Sequence, residues 1–225
     1  MSPMKVARTA GAVYLVFSII AVIGEFAFPG FWKPGDPAGT AGAIAGAESA
    51  YRWSVLTSFV TVVLHLVLMA ILYELFIDVD RRHTVLMTLF VAVGVAAALS
   101  NLMVSFVPLV IVDNATVFSS FTQAQRDVLT LGALEWRRAG AAVPMSFWGF
   151  WLFPFGTLVI RSRMFPRILG VLLMIAGVGY LVTGFSNIVF PEHRQLVGKW
   201  MMPLYFGEIP IVFWLLIKGA RERRA

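Results

Sequence analysis

Two carboxylates, one imidazole and two amides stand inside stretches of this chain that are otherwise apolar. They are Glu25, Glu208, His65, Asn101 and Asn187, with the phenol of Tyr205 three residues before Glu208. A carboxyl group can take up and release a proton, and an imidazole can relay one. Amides and hydroxyls orient whatever binds. Ionisable groups within an apolar helix are expensive and usually face the bundle interior or a wet cavity.

Each of these residues belongs to a polar stripe at helical spacing. Tyr14, Ser18 and Glu25 recur at steps of four and seven, and Ser54, Ser58, Thr61 and His65 at four, three and four. Asn101 and Ser105 are one turn apart, Tyr180, Thr183 and Asn187 share a face, and Tyr205 pairs with Glu208. Five stripes ending at similar depth predict a polar cavity that opens outward. Its expected ligand-binding set is Glu25, His65, Asn101, Asn187, Tyr205 and Glu208. No Lys or Arg stands within the apolar stretches to neutralise these groups, so Glu208, and Glu25 with it, is expected to be protonated or to share a proton. The rival reading makes His65, Tyr180, Thr183 and Asn187 simple interhelical hydrogen bonds and leaves Glu25 reaching interfacial water.

Other chemistries are excluded or unsupported. There is no Cys among the 225 residues, which removes disulfides, thiolate catalysis and Cys-ligated metals. Of three His only His65 lies in an apolar stretch, too few for a bis-histidine haem. No HExxH, GxSxG, phosphate-loop or dinucleotide fingerprint occurs. No cofactor, metal site or catalytic residue is assigned.

The elements that must hold these groups are membrane helices. The chain is 59% hydrophobic and 13% charged, where soluble domains carry about 25% charged residues. Its mean hydropathy is +0.83. Six apolar stretches, at about 9–28, 53–76, 84–112, 145–160, 167–190 and 200–217, are each read as a span. The sequence RSRMFPR between the fourth and fifth carries Arg161, Arg163 and Arg167, and no Asp or Glu occurs from 136 to 191. Such a short basic turn orients a membrane protein, and it belongs in the cytoplasm. With six spans both termini fall on that side. Eleven of the 18 Lys and Arg then lie inside, mostly on short segments, and seven lie outside. The net charge of +6 is accounted for by orientation, and no nucleic-acid partner is expected.

Between spans 3 and 4, Thr122 and Gln125 have the form of a capping box. Val117, Phe121, Ala124, Val128, Leu131 and Leu134 recur at steps of three and four. They predict an amphipathic helix on the outer membrane surface or capping the bundle. Thr40 is expected to cap a small-residue helix before span 2. Gly170, Gly177 and Gly184 form a seven-residue packing seam, and Pro154, Pro203 and Pro210 are expected to bend their spans. Glu135 to Arg138 read as a solvated helix end. Asp80 reads as an exposed partner of Arg81 and Arg82. The fold class is therefore all-α: one polytopic membrane bundle over 1–225, with six transmembrane helices, N and C termini cytoplasmic, and an amphipathic outer helix between spans 3 and 4.

The pieces RSRMFPRILGVLLMIAGVGYLVTG, FWGFWLFPFG, ARTAGAVYLVFSIIAVIGEF and GDPAGTAGAIAGAESAYRW together resemble a bacterial integral-membrane family, the domain of unknown function 4386. The resemblance runs over nearly the whole chain and is most specific at FPRILG. It implies a multi-pass bundle in a bacterial plasma membrane and carries no catalytic residues. Three functions fit the residues. The first is a proton-linked pocket for a small or lipidic ligand. The second is an intramembrane enzyme using a protonated Glu on an isoprenoid or acyl substrate. The third is an accessory subunit docking a membrane-protein partner or a second copy of itself.

Overall fold

The computed structural model describes residues 2–27, 30–113 and 116–221, the side chains of 25–27 excepted. Glu25, Arg223 and Arg224 therefore fall outside the described side chains. Every regular element among the described residues is helical: α1 Pro3–Ala27, α2 Pro37–Gly46, α3 Glu48–Phe76, α4 Arg81–Met103, α5 Phe106–Asp113, α6 Gln123–Gly140, α7 Ala142–Phe150, α8 Leu152–Ser162, α9 Arg167–Val189, α10 Arg194–Tyr205 and α11 Ile209–Phe213. They combine into six segments long and apolar enough to cross a bilayer: Pro3–Gly24, Glu48–Phe76, Arg81–Asp113, Gln123–Ser162, Arg167–Val189 and Pro191–Lys218. Large apolar side chains such as Val16, Ile19, Ile23, Leu89 and Val93 are exposed along the outer faces. Lipid is the solvent in which such a surface is stable.

Prolines set the breaks inside the spans. Pro108 has no N–H for the carbonyl of Val104, so Val107 donates to it instead at 3.1 Å and the helix is interrupted between α4 and α5. Breaks at Ala141 and Trp151 each fall three residues before Pro144 and Pro154. The fourth span is thus a kinked column of α6, α7 and α8. Pro210 likewise leaves the carbonyl of Phe206 to the N–H of Ile209, which tightens Phe206–Glu208 into a 3₁₀ turn before α11. A π-helical turn follows at Trp214–Lys218.

Glycines set the closest approaches. A Cβ on Gly170 would fall against the carbonyl of Gly156, one on Gly177 3.0 Å from the carbonyl of Gly149, and one on Gly184 3.0 Å from the backbone N of Ser146. The seven-residue seam on α9 thus meets a matching seam on α7 and α8, and the backbones touch.

Three local expectations are corrected. Thr40 does not cap α2. Asp36 does, accepting from Gly39 N at 2.8 Å with Pro37 at the first helical position, while buried Thr40 bonds both backbone groups of Lys33. The capping box of Thr122 and Gln125 is present, but α6 buries Asp127, Thr130, Ala133 and Leu134 and leaves Val128 58% exposed. The stripe is split: Val128 faces outward, as suits a lipid boundary, while Leu134 is fully buried in the smaller core. Asp80 pairs not with Arg81 or Arg82 but with Arg161, 81 residues later, and with His83 Nδ1 at 2.9 Å.

The main core joins α1, α3, α4, α8, α9 and the last span around Tyr14, Leu72, Phe76, Trp151, Phe155 and Leu173. A smaller one lies under α2 and α6, around Phe31, Ile44, Tyr51 and Leu134. The first and last described segments meet near the arginine turn: Arg8 Nη2 donates to the carbonyl of Ile217 at 3.3 Å, and Arg221 N to that of Met164 at 3.3 Å.

Candidate functional site

Glu208 ends the 3₁₀ turn in the last span, and three glycines bring its neighbours close. A Cβ on Gly207 would strike the carbonyl of Leu172 on α9, and one on Gly179 would sit 2.9 Å from Cβ of Leu204. A Cβ on Gly11 would run into the backbone of Leu215 and Leu216, which presses α1 onto the π-helical turn. The first, fifth and sixth spans therefore touch at backbone distance, with Tyr14 one turn beyond Gly11 and Tyr180 next to Gly179.

Their side chains meet at one carboxylate. Tyr14, fully buried, donates its hydroxyl to Glu208 Oε2. Tyr180 on α9 lies within electrostatic reach of the same carboxylate. Tyr205 stacks on Tyr180, with ring centroids 4.5 Å apart and planes at 15°, and its hydroxyl meets Thr183 Oγ1 at 2.6 Å. Among the described residues no Lys or Arg is ion-paired with Glu208. The phenolic O–H of Tyr14 supplies a dipole that a half-buried carboxylate otherwise takes from a cation.

Beside this cluster lies an aromatic wall. Tyr14 packs against Phe17 and Trp151, and His65 fits between the same two rings at 4.9 and 5.3 Å. The imidazole is buried and its Nε2 has no hydrogen-bond partner. An orphaned polar atom in such a place has a cost, commonly about 1–3 kcal/mol.

The structure brings together only part of the expected set. Glu208 and Tyr205 share the cluster, and His65 stands one aromatic layer away. Asn101 is elsewhere: its Nδ2 donates to the carbonyl of Arg137 at 2.9 Å and ties α4 to α6. Asn187 lies one turn beyond Thr183 on α9, with Oδ1 buried and unbonded. Glu25 lies outside the described side chains. Tyr14, Tyr180 and Thr183 complete the cluster. The signal that could have selected them was their place on the same stripes as Glu25 and Asn187.

The Glu135–Arg138 segment also differs from the solvated end expected for it. Glu135 accepts from Trp32 Nε1 at 2.8 Å, Arg138 lies 3.9 Å over the Trp32 ring, and Arg137 Nη2 donates to Ser58 at 3.2 Å. Two hollows open away from the Glu208 cluster. One of about 310 Å³ lies between α2, α5 and α6, and a shallow apolar one of about 340 Å³ lies between α3 and α4. Among the described residues no three His, Cys, Asp or Glu are grouped to hold a metal ion.

Six membrane-length helices, an apolar outer surface and an interior carboxylate define a polytopic membrane helix bundle. The chain belongs to the family described as "Domain of unknown function (DUF4386)", whose model matches residues 9–219. An uncharacterized protein of Archaeoglobus fulgidus is 28% identical over 169 residues, covering 75% of this chain and 85% of its own. This relative is archaeal, so the likeness is not confined to bacteria. No solved structure matches the chain.

Proposed function

We propose that this protein binds a small or lipidic ligand within the membrane and couples binding to a proton on Glu208. The observation that carries the reading is the hydrogen bond from Tyr14 on the first span to Glu208 at the break in the last span. Irregular backbone at membrane depth is tolerated where it is buried in protein or lines a cavity. Carboxylates without a cationic partner inside a bundle mark proton and substrate paths. Along α9, Asn187, Thr183 and Tyr180 form a polar line from the end opposite the arginine turn toward Glu208. This line supports access from that side.

We place both termini in the cytoplasm on the strength of the arginine turn and the excess of Lys and Arg at that end. That places the opening of the α9 line on the outer face. Among the expected ligand contacts, Glu208 and Tyr205 are assigned to the site, and His65 stays outside it, packed between Phe17 and Trp151.

Native mass spectrometry of the detergent-purified protein tests the reading. The expected spectrum carries a bound non-protein mass that Glu208→Gln loses while the protein stays monodisperse. An adduct retained by Glu208→Gln removes that residue from the site. An additional protein subunit in its place supports the accessory reading instead.

A further inference from the structure

We infer that the hollow between α2, α5 and α6 is a second, separate site, built for a zwitterion that carries a phosphate and a primary ammonium. Its walls combine opposite charges that do not neutralise each other. Arg126 and Asp127 both line it, and among the described residues neither forms an ion pair. Adjacent helix positions point about 100° apart, which separates the two side chains across the space. Gln123 holds both. Its Oε1 accepts from Arg126 Nη2 at 3.0 Å, and its Nε2 donates to Asp127 Oδ1 at 2.7 Å.

Both groups keep hydrogen-bonding capacity beyond Gln123. Asp127 is 8% exposed, and its one side-chain hydrogen bond among the described residues is to Oδ1, which leaves Oδ2 without one. Arg126 Nε is buried with no partner. A buried carboxylate, and a guanidinium met only by a neutral amide, are costly unless something of opposite charge meets them. The small residues of α2, Ala38, Ala41 and Gly42 among them, keep the space open, and about 310 Å³ admits a group of phosphoethanolamine size. Arg suits a phosphate through forked hydrogen bonds, and Asp127 suits an ammonium.

This chemistry has two sources, a phosphatidylethanolamine headgroup or a soluble phosphoethanolamine. The exposed apolar side chain of Val112 on the wall of the hollow would meet an acyl chain in the first case. The test titrates the full-length protein in detergent with phosphatidylethanolamine and with phosphatidylglycerol of the same acyl chains, read by native mass spectrometry. A parallel arm measures thermal stabilisation by phosphoethanolamine and by inorganic phosphate.

The wild type should prefer the ethanolamine lipid over the glycerol lipid, or phosphoethanolamine over phosphate. The first result identifies a lipid and the second a solute. Asp127→Asn should lower that preference about tenfold, as expected for one lost charge-assisted contact. Gly42→Leu, where an added Cβ meets nothing within 4 Å, should lose binding at an unchanged melting temperature. Equal binding of both lipids together with equal stabilisation by both solutes overturns the proposal. So does a preference that survives both Asp127→Asn and Gly42→Leu.

Discussion

Tyr14 on the first span and Glu208 on the last, 194 residues apart, are joined by a hydrogen bond inside the bundle. The bond closes the ring of helices, and it exists because Gly11, Gly179 and Gly207 let three backbones approach to contact. The polar site and the packing are therefore one feature. A change in either is expected to disturb the other.

Gly207→Val tests that dependence. Its side chain would drive into the carbonyl of Leu172, and overpacking of this kind costs about 1–3 kcal/mol. The melting temperature in detergent should fall, and any bound non-protein mass should go with it. Gly132→Ala, in the middle of α6 where an added Cβ meets nothing, should instead stabilise by about 0.5–1 kcal/mol.

His65→Phe probes the orphaned imidazole. Phe keeps the ring contacts with Phe17 and Trp151 and removes the unbonded Nε2. The melting temperature should hold or rise by the equivalent of about 1 kcal/mol. A fall of several degrees would reveal a partner for Nε2.

Asp80 carries the clearest pH dependence outside the spans. The backbone N–H of His83 holds its carboxyl below the usual range, with Arg161 and the His83 ring adding to the effect and partial desolvation opposing it. A carboxyl lowered in the folded state contributes stability that is complete above its unfolded value and is lost as pH falls through the folded one. Thermal melts should show a destabilisation confined to pH below about 4 that Asp80→Asn removes. Loss of stability between pH 5 and 7 in the wild type alone would contradict the assignment.

Much of this was legible along the chain, because span length, proline breaks and the glycine seam are local or periodic properties. Pro210 announced the break before Glu208, and Gly170, Gly177 and Gly184 announced a close helix pair. Pairings across the bundle were not legible. Sequence offers Asp80 only its neighbours Arg81 and Arg82, since nothing in it points to Arg161, 81 residues away. The stripe of Tyr14 was visible, but its partner depends on which spans adjoin. Helix α6 shows the same limit: periodicity found its apolar face, while the packing of Asp127 and Thr130 inward depends on α2.

Arg163 is in the left-handed region, with φ of 56°, at the C-terminus of α8. Arg163→Gly should raise the melting temperature by the equivalent of about 0.5–1 kcal/mol, since glycine adopts this conformation without a Cβ penalty. An unchanged or lower value would mean that the Arg side chain holds the turn.

The proton on Glu208 is tested most directly by pH-difference infrared spectroscopy of the purified protein in lipid. A carboxyl C=O band is expected that changes with pH, disappears in Glu208→Gln and shifts in Tyr14→Phe as the donated hydrogen bond is lost. A carboxyl spectrum identical in the wild type and Glu208→Gln would contradict it.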